Sequence, residues 1–102
     1  MYLQQEIKKK LKDEIAAGLA RFPEVQRVVV FGSFVTSDDP RDLDIAVFQD
    51  SDEGYYSLAM KYRRTLRPVA KRIPLDVIPL RRLPGEGAFI QEIQKGEVLY
   101  ER

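Results

Sequence analysis

Asp42 and Asp44 flank a leucine, follow Gly32-Ser33 by about ten positions, and are joined later by Asp76 in the apolar run Leu75-Asp76-Val77-Ile78. These acids sit where a strand should be apolar. Burying an unpaired carboxylate costs several kcal/mol or shifts its pKa until it is neutral. Converging carboxylates also repel one another, by roughly 3 kcal/mol per pair at about 5 Å and an effective dielectric near 20. A divalent cation would turn that repulsion into a ligand set. Asp42 and Asp44 share one face of a strand, with Cα atoms about 6.6 Å apart. If the strand carrying Asp76 neighbours theirs, a three-carboxylate site follows. Such a site suits magnesium, which takes oxygen ligands from one or two carboxylates plus substrate phosphates, and a two-ion mechanism of phosphoryl chemistry. Gly32-Ser33 lies where a strand ends and turns. There the backbone can approach a phosphate closely, and the Ser33 hydroxyl and following amides can receive its oxygens.

Composition narrows the chemistry further. The 102 residues contain no cysteine and no histidine. Thiol nucleophiles, disulfides, Ser-His-Asp triads and histidine-zinc sites are therefore excluded, and carboxylates with metal must do any catalysis. Ser33 lacks a base to make it a covalent nucleophile. At 44% hydrophobic and 32% charged, the chain reads as one soluble domain, residues 1–102. A net charge of +1 argues against nucleic acid as partner, and no apolar stretch is long enough for a membrane span. The lysine-rich start is unlike a signal peptide, and the lack of cysteine suits a reducing cytoplasm. Basic runs such as Lys8-Lys9-Lys10 and Arg63-Arg64 are expected to be solvated faces, and Arg41, beside the acidic pair, is a candidate phosphate contact.

The elements that must position these residues alternate in type. Leu3, Ile7, Leu11, Ile15, Leu19 and Phe22 predict an amphipathic helix over 2–21, ended by Pro23. Val28 to Phe31 reads as a buried strand, residues 33–41 as a polar loop, and Asp42 to Phe48 as the second strand. A helix follows from Tyr55, with Tyr55, Leu58, Ala59, Tyr62 and Leu66 inward, and is broken near Pro68. Ile73 to Leu80 contains a third strand, with prolines that mark its ends or a sheet edge. A loop over 81–87, a short helix over 88–95 capped by Gly96, and an extended segment from Glu97 to Tyr100 complete the chain.

In this order, Val28-Val-Val-Phe-Gly-Ser-Phe, Asp42-Leu-Asp-Ile-Ala-Val, Leu75-Asp-Val-Ile and the closing Gly96-Glu-Val-Leu-Tyr-Glu resemble the minimal nucleotidyltransferases of the DNA polymerase β superfamily over essentially the whole chain. The resemblance implies an α/β (α+β) fold, a small mixed sheet flanked by helices. It also implies magnesium-dependent transfer of a nucleoside monophosphate from ATP or another nucleoside triphosphate to a hydroxyl. Asp42 and Asp44 match the metal-binding pair. Asp76 matches the third carboxylate, which helps bind metal and deprotonates the acceptor, and Gly32 and Ser33 match the triphosphate-binding turn. The chain departs from the family in Val35-Thr36-Ser37, where Ala-Arg-Gly is common, in a shorter loop before the acidic pair, and in Arg41, where serine often stands.

Little chain follows the third strand, so the acceptor is expected to arrive on another protein. Minimal members of this family are often antitoxins of HEPN-domain proteins, and a tyrosine of such a partner is the implied AMP acceptor. The alternative is a domain of the same fold that neutralises or scaffolds its partner by contact without transfer. The acceptor, the preferred base and any homo-oligomerisation are left open by the sequence.

Overall fold

The computed structural model describes residues 4–81, 91 and 93–102. Its elements run α1 (Gln5–Leu19), β1 (Val25–Phe31), α2 (Ser33–Thr36), β2 (Leu43–Gln49), α3 (Tyr55–Thr65), α4 (Arg67–Ala70), β3 (Leu75–Leu80) and β4 (Glu97–Glu101). The strands form one mixed sheet in the order β3-β2-β1-β4. β1 is antiparallel to both β2 and β4, whereas β2 and β3 run parallel. The expected fold class, a small mixed sheet with helices, is what forms. β3 lies at an edge of the sheet, where the missing N–H of Pro79 is tolerated.

Alternation along the strands gives the sheet two unlike faces. Val28, Val30, Leu43, Ile45, Val47 and Val77 turn to one side and pack with Leu11, Ile15 and Leu19 of α1, Leu58 and Tyr62 of α3, and Val69 of α4. The other side is a smaller apolar cluster, Val29, Phe31, Ala46, Phe48 and Ile93, flanked by Ile78 and Leu80. Tyr62 is fully buried, and its hydroxyl donates to Glu24 Oε2 at 2.9 Å, tying α3 to the approach to β1.

Several sequence expectations shift. The buried stripe of α1 is Lys8, Leu11, Ile15 and Leu19, while Ile7 is 43% exposed. The stripe begins one position later than the apolar periodicity indicates, because Lys8 finds backbone acceptors inside; Leu3 lies outside the described residues. Tyr55, expected inward, is 59% exposed, since it stands at the first position of α3. The 33–41 loop contains the single helical turn α2, whose Phe34 is 2% exposed. Burial of that ring folds the chain down onto the core. Pro68 does interrupt the second helix, and it stands in the first turn of α4, where a missing N–H is harmless. Of the helix expected at 88–95, Gln91, Ile93 and Gln94 are helical; 88–90 and 92, like the loop expected at 82–87, lie outside the described residues.

Gly96 has a role different from a left-handed cap. Its φ is not positive, but a Cβ there would lie 2.4 Å from Val30 O and 2.8 Å from Val29 Cγ1. The chain enters β4 pressed against β1 with no room for a side chain. Gly96→Ala is therefore expected to destabilise the fold by about 2 kcal/mol, as overpacking does. Gly18→Ala, whose new Cβ would meet only side-chain carbons, the nearer at 3.2 Å, should cost well under half of that. Urea unfolding of the two variants checks the contrast.

Candidate active site

The two acid-bearing strands lie side by side. In the parallel ladder Asp44 is the register partner of Asp76, so both side chains leave the same face of the sheet from neighbouring strands, about 4.8 Å apart in the backbone. Residues of one parity share a face. That face carries Val29, Phe31 and Ala46, not the main helical layer. Asp42, two residues before Asp44 and just outside β2, is exposed.

Asp44 is the stressed member. Its carboxyl pKa is pushed up to about 6, first by burial and then by the charges of Asp42 and Asp76. On its β1 side stands Gly32, at φ 77°. An added Cβ there would come within 2.6 Å of Asp44 Oδ2. Glycine is thus required twice, for a backbone turn that L side chains rarely adopt and for the room in which the carboxylate lies. After the turn, α2 closes with Val35 N and Thr36 N donating to Gly32 O. Ser33 Oγ is buried and has no hydrogen-bond partner among the described residues. An orphaned buried hydroxyl costs free energy, and one beside a candidate phosphate turn is a donor in waiting. A cavity of about 260 Å³ opens here, lined by Gly32, Ser33, Val35, Thr36 and Lys95.

Asp76 is more accessible and is engaged. Arg63 of α3 reaches the edge strand and donates from Nη2 to Asp76 Oδ1 at 3.1 Å, with both side chains about half exposed. Arg63, read from sequence as a solvated residue, is thus a neighbour of the acidic group. Nothing in its own helix signals this, since the contact spans thirteen positions and needs the β2–β3 pairing to exist. Arg41 is exposed. Among the described residues no three acidic, histidine or cysteine side chains converge closely enough to hold a metal ion as they stand. The donor chemistry nevertheless fits magnesium: all-oxygen ligands, like charges that need neutralising, and a neighbouring glycine turn beside which substrate phosphates could complete the coordination.

A family model described as "Polymerase beta, Nucleotidyltransferase" matches residues 5–102. No curated protein matches the chain. Among solved structures, the chain is similar to a complex of the MNT antitoxin with the tri-AMPylated HEPN toxin of Shewanella oneidensis, at 22% identity and a TM-score of 0.63, over 93% of this chain and 73% of that one. It is also similar to the MntA-HepT toxin-antitoxin, at 21% identity and a TM-score of 0.60, over 92% and 73%. A third is a toxin-antitoxin with AMP-PNP, at 23% identity and a TM-score of 0.63, over 89% and 73%. At these identities the likeness is one of fold.

The raised pKa of Asp44 fixes the sign of a pH effect. A carboxyl whose folded pKa exceeds its unfolded value favours folding while protonated. That contribution is complete below about pH 4 and is lost as pH rises through about 6. Asp44→Asn removes the titration. At pH 7 without metal the variant is expected to be more stable than the parent by about 1 kcal/mol, allowing for solvent screening of a half-buried group. The difference should shrink toward zero at pH 4. Denaturant melts of both proteins across that range, in a chelator, measure it.

Proposed function

The chain belongs to the polymerase β nucleotidyltransferase family, and on that premise we propose that it transfers AMP from ATP to a hydroxyl, with a tyrosine of a HEPN-type protein as the acceptor. The observation that carries the reading is the pairing of Asp44 with Asp76 beside the Gly32-Ser33 turn. The HEPN assignment is supported by likeness in fold to MNT antitoxins solved with HEPN toxins, and the nucleotide by a similar toxin-antitoxin with AMP-PNP.

Gly32 and Ser33 receive the phosphate tail, close backbone on one side and the unpartnered Oγ on the other. Asp42, Asp44 and Asp76 would hold magnesium, which when bound supplies neutralisation of the triphosphate and Lewis-acid activation of the α-phosphate. The acceptor oxygen attacks the α-phosphorus. A new P–O bond forms, the bond to the bridging oxygen breaks, and pyrophosphate leaves with that electron pair. Asp76 takes the acceptor proton. Its Oδ1 is held by Arg63, while Oδ2 has no hydrogen-bond partner among the described residues. Catalysis of this kind is mainly positioning and charge neutralisation.

Incubation with α-labelled ATP, magnesium and a HEPN-type protein that binds this chain is expected to label the HEPN protein. Chelation should abolish labelling, and Asp44→Asn should lower it by about 100-fold or more with the fold intact by circular dichroism. Full neutralisation of the HEPN protein by the Asp44→Asn variant, with no labelling by the parent, would replace this reading with the contact-only domain.

A further inference from the structure

We propose that Lys8 is a positioning residue that fixes the Gly32-Ser33 turn against Asp44; its consequence for nucleotide rests on the phosphate role given above to that turn. Lys8 belongs to a basic run, yet it is 5% exposed. Its Nζ donates to Phe34 O at 2.8 Å and to Ser37 O at 2.5 Å, and it lies 5.3 Å from the centroid of the Phe34 ring. Lysine is almost never buried unless its charge is answered. Here the answer is not a carboxylate, since none pairs with Lys8 among the described residues. It is a pair of carbonyls at the end of α2.

Those carbonyls matter because α2 cannot hold its own shape. One helical turn fixes several residues for very few hydrogen bonds and is unstable alone. Its internal bonds all return to Gly32 O and Ser33 O, and the carbonyls at its C-terminal end have no helical partner. Lys8 supplies donors to two of them from across 26 and 29 positions of sequence. α1 in turn is seated on the core by Leu11, Ile15 and Leu19. The line of support therefore runs from the core through α1 and Lys8 to α2, and from α2 to Gly32. Gly32 is so close to Asp44 Oδ2 that a Cβ would not fit. A small drift of α2 would therefore move the turn relative to the carboxylate.

Lys8→Met keeps the length and apolar stem of the side chain and removes every donor. Leu19→Val, at the far end of α1, serves as a control for general loosening of the helix, and both are compared at a temperature where each is folded. Amide exchange at Val35, Thr36 and Ser37 in the metal-free protein is expected to be at least tenfold faster in Lys8→Met than in Leu19→Val, after correction for the global stability of each. The Kd for ATP with magnesium should weaken at least tenfold in Lys8→Met and less than twofold in Leu19→Val. Equal corrected exchange in the two variants overturns the proposal, whatever happens to nucleotide. Faster exchange with nucleotide affinity kept overturns the positional coupling. Faster exchange in a chain whose parent binds no nucleotide supports the clamp and counts against the phosphate reading instead.

Discussion

Asp44 stands where three demands meet. The parallel ladder sets it beside Asp76, the β1–β2 pairing sets it opposite Phe31, and the turn that ends β1 passes so near that only glycine fits at position 32. A β2–β3 ladder slipped by one residue would turn the acids to opposite faces. The parallel β2–β3 pair, by its register, is thus what sets Asp44 beside Asp76. It requires a crossover between β2 and β3, and α3 and α4 supply it while covering the face that the acids do not use.

The two faces of the sheet carry unequal loads. The helical layer collects sixteen buried residues into one cluster, enough apolar burial to tolerate a half-buried, mutually repelling carboxylate on the other face. With its pKa raised by burial and by the charges of Asp42 and Asp76, ionised Asp44 costs the fold something at neutral pH. The same carboxylates replaced by leucines would make an ordinary strand pair and remove the reason for a tight glycine turn. Strain of this kind persists only where the surrounding structure over-determines it. Here the parallel ladder, the buried ring of Phe34 and the Lys8 donors do so.

Much of this was legible from residue order. The β-branched run before Gly32, the alternation through Leu43-Asp44-Ile45, and proline-flanked Leu75 to Leu80 mark three of the four strands. Asp42 and Asp44, two residues apart, announce a shared face, and Asp76 joins it only through the β2–β3 register. Periodicity failed at Lys8 and Ile7, where a hydropathy pattern sees a charge and an aliphatic but not the two carbonyls, more than 25 positions away, that make burial of the amine favourable. It failed at Tyr55 for a local reason: the first residue of a helix has no preceding turn to pack under. Gly96 reads as a cap because glycine usually ends helices, whereas its purpose is the closeness of β4 to β1, a fact of tertiary structure. The reach of Arg63 to Asp76 is equally invisible in sequence, since it depends on which strand lies at the sheet edge.

That last contact bears on whether the acidic group can act as a unit. A guanidinium sealed between the carboxylates would make them a structural ion pair and nothing more. Arg63 is not sealed in. The pair joins side chains 48% and 57% exposed, and ion pairs of that kind contribute only about 0–1 kcal/mol. In the proposed reaction a divalent cation brought with a triphosphate would compete at far higher charge density, and the released arginine would stay near the same edge of the sheet. Asp76 is also the more exposed of the two ladder partners, so breaking its pair with Arg63 would need no opening of the core. Arg63 thus offsets the charge of Asp76 beside Asp44 through a half-exposed pair weak enough to give way to a stronger partner.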